Sequence, residues 1–201
     1  DERWDLVASA IDAMSLAEQK DPSWVYWKAR ALRGSAKPDA EGDAERQAAQ
    51  QMLESISGQM HFYGKLATED LGGTLALPAV PTPPTSAERE LARRNPGFER
   101  ALLLIGIGLR NEGVREWNFT LRGLGDRELL AAAQLACERE VWDRCINTSD
   151  RTRVEVDMAQ RFPMPYRKDV VAQAREVGID PAYIYGLIRQ ESRFIMDARS
   201  H

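Results

Sequence analysis

Apolar residues recur at spacings of three and four along almost the whole chain, and no stretch alternates convincingly with a period of two. That restricts the fold to packed helices, because a helix gathers residues three and four apart onto one face, whereas a strand gathers every second residue. Trp4, Val7, Ala8, Ile11 and Met14 form one such stripe, and Trp24, Trp27, Ala31 and Leu32 the next. Local signals agree with this reading. Ser15-Leu16-Ala17-Glu18 has the form of a capping box, and Asp21-Pro22 that of an N-cap followed by proline at the first helical position. Gly34 is predicted to close that helix from the C′ position. Further helices are predicted over 45–56, 61–71, 86–94, 98–111, 114–124, 126–139, 142–149, 166–177 and 180–194. The breaks between them fall at Gly72-Gly73, Asn95-Pro96-Gly97, Gly113, Gly125 and the extended link 161–165.

One segment interrupts the pattern. Pro78-Ala79-Val80-Pro81-Thr82-Pro83-Pro84 lacks the N–H groups that a helix or a central strand requires, so it is predicted to run extended over the surface. Short helices, short turns and one apolar face per helix predict an all-α superhelical stack of antiparallel helical hairpins, with an irregular helical bundle as the alternative.

Composition removes whole classes of function. The longest apolar run, Ala101 to Leu109, is far shorter than the ~20 residues of a membrane span. The net charge of the 201 residues is −4 and no Lys/Arg block occurs, which argues against binding nucleic acid through its phosphates. Two histidines and two cysteines do not make a zinc signature, so no metal and no cofactor are expected.

The strongest candidate for chemistry is the last predicted helix. Asp180 caps it, Pro181 starts it, and Ile184, Leu187, Ile188 and Glu191 fall on one face. A carboxyl group on an apolar stripe is held neutral by burial, and a neutral carboxylic acid near pH 7 is what glycosidic cleavage needs as general acid. The alternative is that Glu191 ends the helix in water, or pairs with Arg189 or Arg193.

Tyr185-Gly186-Leu187-Ile188-Arg189-Gln190-Glu191-Ser192-Arg193-Phe194 resembles the start of the catalytic domain of the soluble lytic murein transglycosylases. Phe162-Pro163-Met164-Pro165-Tyr166 and Gly178-Ile179-Asp180-Pro181 are similar to that family's entry into the domain. Arg115-Glu116-Trp117-Asn118 and Asp126-Arg127-Glu128-Leu129-Leu130 resemble its linker superhelical domain. Trp27-Lys28-Ala29-Arg30-Ala31-Leu32 and Phe62-Tyr63-Gly64-Lys65-Leu66-Ala67 resemble the end of its ring-forming helical domain.

The resemblance implies a division into a ring-forming helical segment (1–77), a Pro-rich linker (78–85), a linker superhelical domain (86–150) and the start of a truncated lysozyme-like catalytic domain (151–201). It implies cleavage of the MurNAc–GlcNAc bond of peptidoglycan without water, by a monomer in the periplasm. It assigns Glu191 the catalytic role, as acid and then base, and gives Ser200 a place lining the substrate cleft. Ser192 is expected to cap or pack. The lobe that should follow Ser200-His201 is not in the sequence, so the chain alone is expected to be inactive. The rivals are a non-enzymatic helical-repeat scaffold and a hydrolase that uses the same Glu with water.

An oxidising compartment allows a Cys137–Cys145 disulfide. Two reduced thiols are the slightly favoured expectation, since hairpin geometry need not bring the Cβ atoms together. Gly106-Ile107-Gly108 lies inside a predicted apolar helix, where glycine serves close packing. Trp24 and Trp27 are expected to pack on the next helix. Arg89, Arg93, Arg94 and Arg100 are expected to form a solvated face, with contact to anionic peptidoglycan as the alternative.

Overall fold

A computed structural model describes residues 3–196 and 198, and among them it contains twelve α-helices and no strand. The all-α expectation therefore holds. The chain divides into two compact units, residues 1–77 and 78–201.

The first unit contains α1 (Trp4–Asp12), α2 (Pro22–Ser35), α3 (Asp43–Ile56) and α4 (Phe62–Asp70). Asp21 caps α2, its carboxylate accepting from the Ser23 amide at 2.9 Å. Ser15 and Glu18 do form their box, but only a single 3₁₀ turn follows it. Gly34 lies inside α2 rather than beyond it, because the Trp4 ring sits where its Cβ would be. The core of this unit is Tyr26, Ala29, Ala49, Leu53, Ile56 and Ala67. The expectation for Trp24 and Trp27 is corrected: they remain 38% and 39% exposed, while Tyr26 between them is buried. Tyr26 and Ala29 define the inner line of α2, and Trp27 meets α4 only by its edge, its Nε1 donating to the Tyr63 hydroxyl at 3.3 Å.

The second unit contains α5 (Ser86–Arg93), α6 (Pro96–Gly106), α7 (Arg110–Thr120), α8 (Asp126–Glu138), α9 (Trp142–Ser149), α10 (Met158–Arg161), α11 (Arg167–Glu176) and α12 (Pro181–Glu191). Consecutive helices pack in pairs, α6 on α7 and α8 on α9. The predicted helix 98–111 stops at Gly106, and Gly108 turns the chain at φ 87°. Gly113, predicted as a break, lies within α7. A Cβ there would come 2.6 Å from the Ala101 carbonyl oxygen, so this glycine, not Gly106 or Gly108, lets α7 approach α6 closely. α10, a helix not predicted, precedes the expected link and overlaps it only at Arg161; it is capped by Asp157, and residues 162–165 are non-helical as expected.

Phe98 and Trp117 stack at 4.6 Å in the core of this unit, and the buried Trp117 Nε1 donates to Thr148 Oγ1 at 2.8 Å. The expected solvated arginine face takes the form of exposed ion pairs, Arg93 with Glu138, Arg94 with Glu90 and Arg100 with Glu116. Exposed pairs of this kind are screened by water and contribute little to stability.

Arg127 ties the Pro-rich segment to α8. It donates to the carbonyls of Thr82 at 2.6 Å and Pro83 at 3.2 Å, and pairs with Glu88 and Glu155, each at 2.9 Å. Its guanidinium, with the Thr85 amide and hydroxyl, holds the Glu88 carboxyl at about 2 instead of 4.5. Asp126 accepts from the backbone amides of Arg153, Val154 and Glu155, which lowers its pKa.

The slightly favoured expectation of free thiols is corrected too. α8 and α9 bring the Cα atoms of Cys137 and Cys145 to 5.1 Å, and the two residues form a disulfide.

Candidate active site

The candidate site lies at the C-terminal end of α12. Asp180 caps the helix, accepting from the Ala182 amide at 2.8 Å, and Pro181 occupies its first turn. The inner line of α12 is Tyr185 and Ile188, packed with Ile146 of α9, Val170 of α11 and Phe194. The Tyr185 hydroxyl donates to the Pro165 carbonyl at 2.8 Å, and burial pushes this phenol's pKa up. The helix ends at Glu191, three residues before the predicted end. Arg193 and Phe194 take left-handed conformations (φ 48° and 63°) and fold the chain back, so that Phe194 reaches Tyr185 at 6.1 Å between ring centres. The Ser192 hydroxyl donates to the Ile188 carbonyl at 3.2 Å, a helix-terminal contact as expected for this residue.

Glu191 does not lie where the sequence pattern put it. It is exposed and makes no hydrogen bond or ion pair with any described residue. It follows Tyr183 and Leu187 at steps of four, and these two are 67% and 51% exposed. The stripe Tyr183–Leu187–Glu191 thus faces outward, beside the packed line of Tyr185 and Ile188. Leu187 belongs to both lines by sequence spacing, and only packing separates them.

Neither neighbouring arginine pairs with Glu191. Arg189 donates to the Arg161 carbonyl at 2.7 Å, pairs with Asp150 at 3.1 Å and lies 4.5 Å over the Phe162 ring. Arg193 donates to the Asn147 side chain. Sequence reasoning missed this arginine clamp, which locks α12 to residues 150–162. Ser200 falls outside the described residues. Among the described residues no group of three or more His, Cys, Asp or Glu is arranged to hold a metal ion, and no helix is long and apolar enough to cross a membrane.

The order of these helices matches solved structures. A lytic transglycosylase Slt of Pseudomonas aeruginosa, solved as an inactive Glu-to-Gln mutant, superposes with a TM-score of 0.74 at 26% identity, over 98% of this chain and 31% of its own. The chain has the fold of the soluble lytic transglycosylases. The 70-kDa soluble lytic transglycosylase in complex with bulgecin A gives a TM-score of 0.69 at 18% identity, over 100% of this chain and 33% of its own. The Escherichia coli 70-kDa enzyme gives 0.67 at 19%, over 98% and 30%. No protein-family model and no curated protein matches the sequence. The chain spans about a third of the length of the lytic transglycosylases it resembles.

Proposed function

We propose that this chain is part of a peptidoglycan lytic transglycosylase in which Glu191 is the single acid and base. The observation that carries the reading is the superposition of 98% of the chain on the P. aeruginosa lytic transglycosylase. The position of Glu191 on an outward apolar stripe supports its role. A lobe laid over Tyr183 and Leu187 would shut Glu191 away from water.

The neutral carboxyl then gives its proton to the glycosidic oxygen as the bond to the MurNAc anomeric carbon breaks, and the bonding pair leaves with that oxygen. The C6 hydroxyl oxygen of the same sugar bonds to the anomeric carbon, and the Glu191 carboxylate takes its proton. No water enters, and the carboxyl is restored. One carboxyl suffices because the sugar provides its own nucleophile, unlike the two-carboxylate glycosidases. Ser200 helps position substrate in the same cleft. The protein acts as a periplasmic monomer on glycan strands.

Glu191→Gln in the whole protein should lower release of 1,6-anhydro-muropeptides from sacculi at least ~100-fold. Release at the parent rate would overturn the assignment. Products heavier by one water would replace the lytic reaction with hydrolysis. The 201-residue chain alone should release nothing, since no described group covers Glu191; release comparable to a whole lytic transglycosylase would refute that. The exposure of Glu191 favours a second reading, a helical-repeat scaffold without catalysis, for which the whole protein would release no product of either mass.

A further inference from the structure

We propose that α7 carries a second, non-catalytic binding site, for the carboxylates of peptidoglycan stem peptides. This rests on the reading above for the identity of the anion. Arg115, Asn118 and Phe119 share one stripe of α7, and Arg122 follows in the turn just past its end. They line an open concavity of about 640 Å³.

Arg115 and Arg122 form no ion pair with any described residue. Arg151 forms none either, and its Nη2 donates to Asn118 Oδ1 at 3.2 Å. Arg144 donates to the same oxygen at 3.1 Å. With its oxygen doubly engaged, Asn118 directs its unpartnered amide N–H groups elsewhere. Of the two acids at the concavity, Glu116 is committed to Arg100 at 2.5 Å, leaving Glu112 against the guanidinium groups of Arg115 and Arg122. Phe119 is 62% exposed and has the Arg122 guanidinium 4.8 Å from its ring centre.

Arg93, Arg94 and Arg100 are each matched by a neighbouring acid, whereas Arg115, Arg122 and Arg151 are not. Two unmatched arginines beside an amide donor and an exposed ring, with Arg151 adjoining through Asn118, form a recess that favours planar anions. Guanidinium groups bind carboxylates in paired, charge-assisted hydrogen bonds. The Phe119 ring offers an apolar face to a sugar ring or an alanyl methyl beside that carboxylate. Stem peptides present such carboxylates at regular intervals along a glycan strand, and α7 lies outside the residues assigned to catalysis. The site would therefore hold a strand without cutting it.

The test is titration of the 201-residue chain with soluble glycan strands that carry stem peptides and with the same strands freed of them, followed by calorimetry or NMR. Stem-bearing strands should bind roughly tenfold or more tightly than stem-free ones, and binding should weaken as ionic strength is raised to about 0.5 M. The triple variant Arg115→Ala, Phe119→Ala, Arg122→Ala alters only exposed side chains, so it should fold; it should lose binding at least about tenfold, whereas Arg94→Ala should not. Equal binding of both strands, or unchanged binding by the triple variant, overturns the proposal. The two readings fail separately. A Glu191-dependent lytic enzyme whose triple variant binds normally removes the α7 site alone, and full lysis by Glu191→Gln with binding intact at α7 removes the catalytic assignment alone.

Discussion

The paired helices α8 and α9 and the outer stripe of α12 treat charge in opposite ways. Around α8 and α9 each buried or half-buried charged group is answered. Asp143, buried, lies between Arg110 and Arg144. Arg127 joins two carboxylates and two carbonyls, and Asp126 takes three backbone amides. On α12 the inner line is equally committed, through Tyr185, Ile188 and Arg189, while Tyr183, Leu187 and Glu191 are exposed and lie outside that packed cluster. Groups committed to internal partners hold the fold. Groups left without one are where chemistry directed at another molecule is to be sought.

The contrast is open to mutation. Its sharpest test is Asp143→Ala, which leaves Arg144 buried without its charge partner and should cost about 3–5 kcal/mol in urea unfolding. Glu191→Gln should change the same measurement by less than about 0.5 kcal/mol. Similar losses for the two would erase the distinction. A smaller effect is expected from replacing both Cys137 and Cys145 by Ser: a cross-link eight residues apart constrains the unfolded chain by about 2–3 kcal/mol. A midpoint unmoved by the replacement, or by reduction of the parent, would deny the bridge a stabilising role.

The paired region should also be sensitive to acid. Because Glu88 titrates at about 2 in the folded chain against 4.5 ordinarily, its contribution is fully present above pH 4.5 and is lost as pH falls toward 2. The melting temperature of the parent should therefore fall more steeply than that of Glu88→Gln over this interval, the two curves converging at the acid end. Parallel curves would show that the Arg127–Glu88 pair contributes nothing. A small effect is expected from Leu187→Ala, below about 1 kcal/mol despite the loss of a large apolar side chain, because that side chain is already half exposed. A loss of 2–5 kcal/mol, the range for a buried leucine, would mean that the stripe is covered.

Much of the helical order was legible because it rests on local chemistry. Asp21-Pro22 and Asp180-Pro181 cap α2 and α12 as read, since an aspartate oxygen reaches amides two residues on whatever the rest of the chain does. Glycine was less legible. Gly34 and Gly113 look like stops, yet both lie inside helices, because the missing Cβ makes room for Trp4 in one case and for the α6 backbone in the other. The Cys137–Cys145 bridge was open in the sequence for a similar reason: spacing brings two side chains near one turn, and only the angle between the helices brings them within bonding reach.

The candidate site divides along the same line. Periodicity alone determined that α12 is amphipathic and that a carboxylate stands near its C-terminal end. It did not determine which side of that carboxylate is covered, because Leu187 fits the inner and the outer line equally well. Packing decided it, by laying Tyr185 and Ile188 against α9 and α11 and committing Arg189 to Asp150 and the Arg161 carbonyl. Helical spacing is a property of one segment, whereas burial is a property of what another segment brings to it.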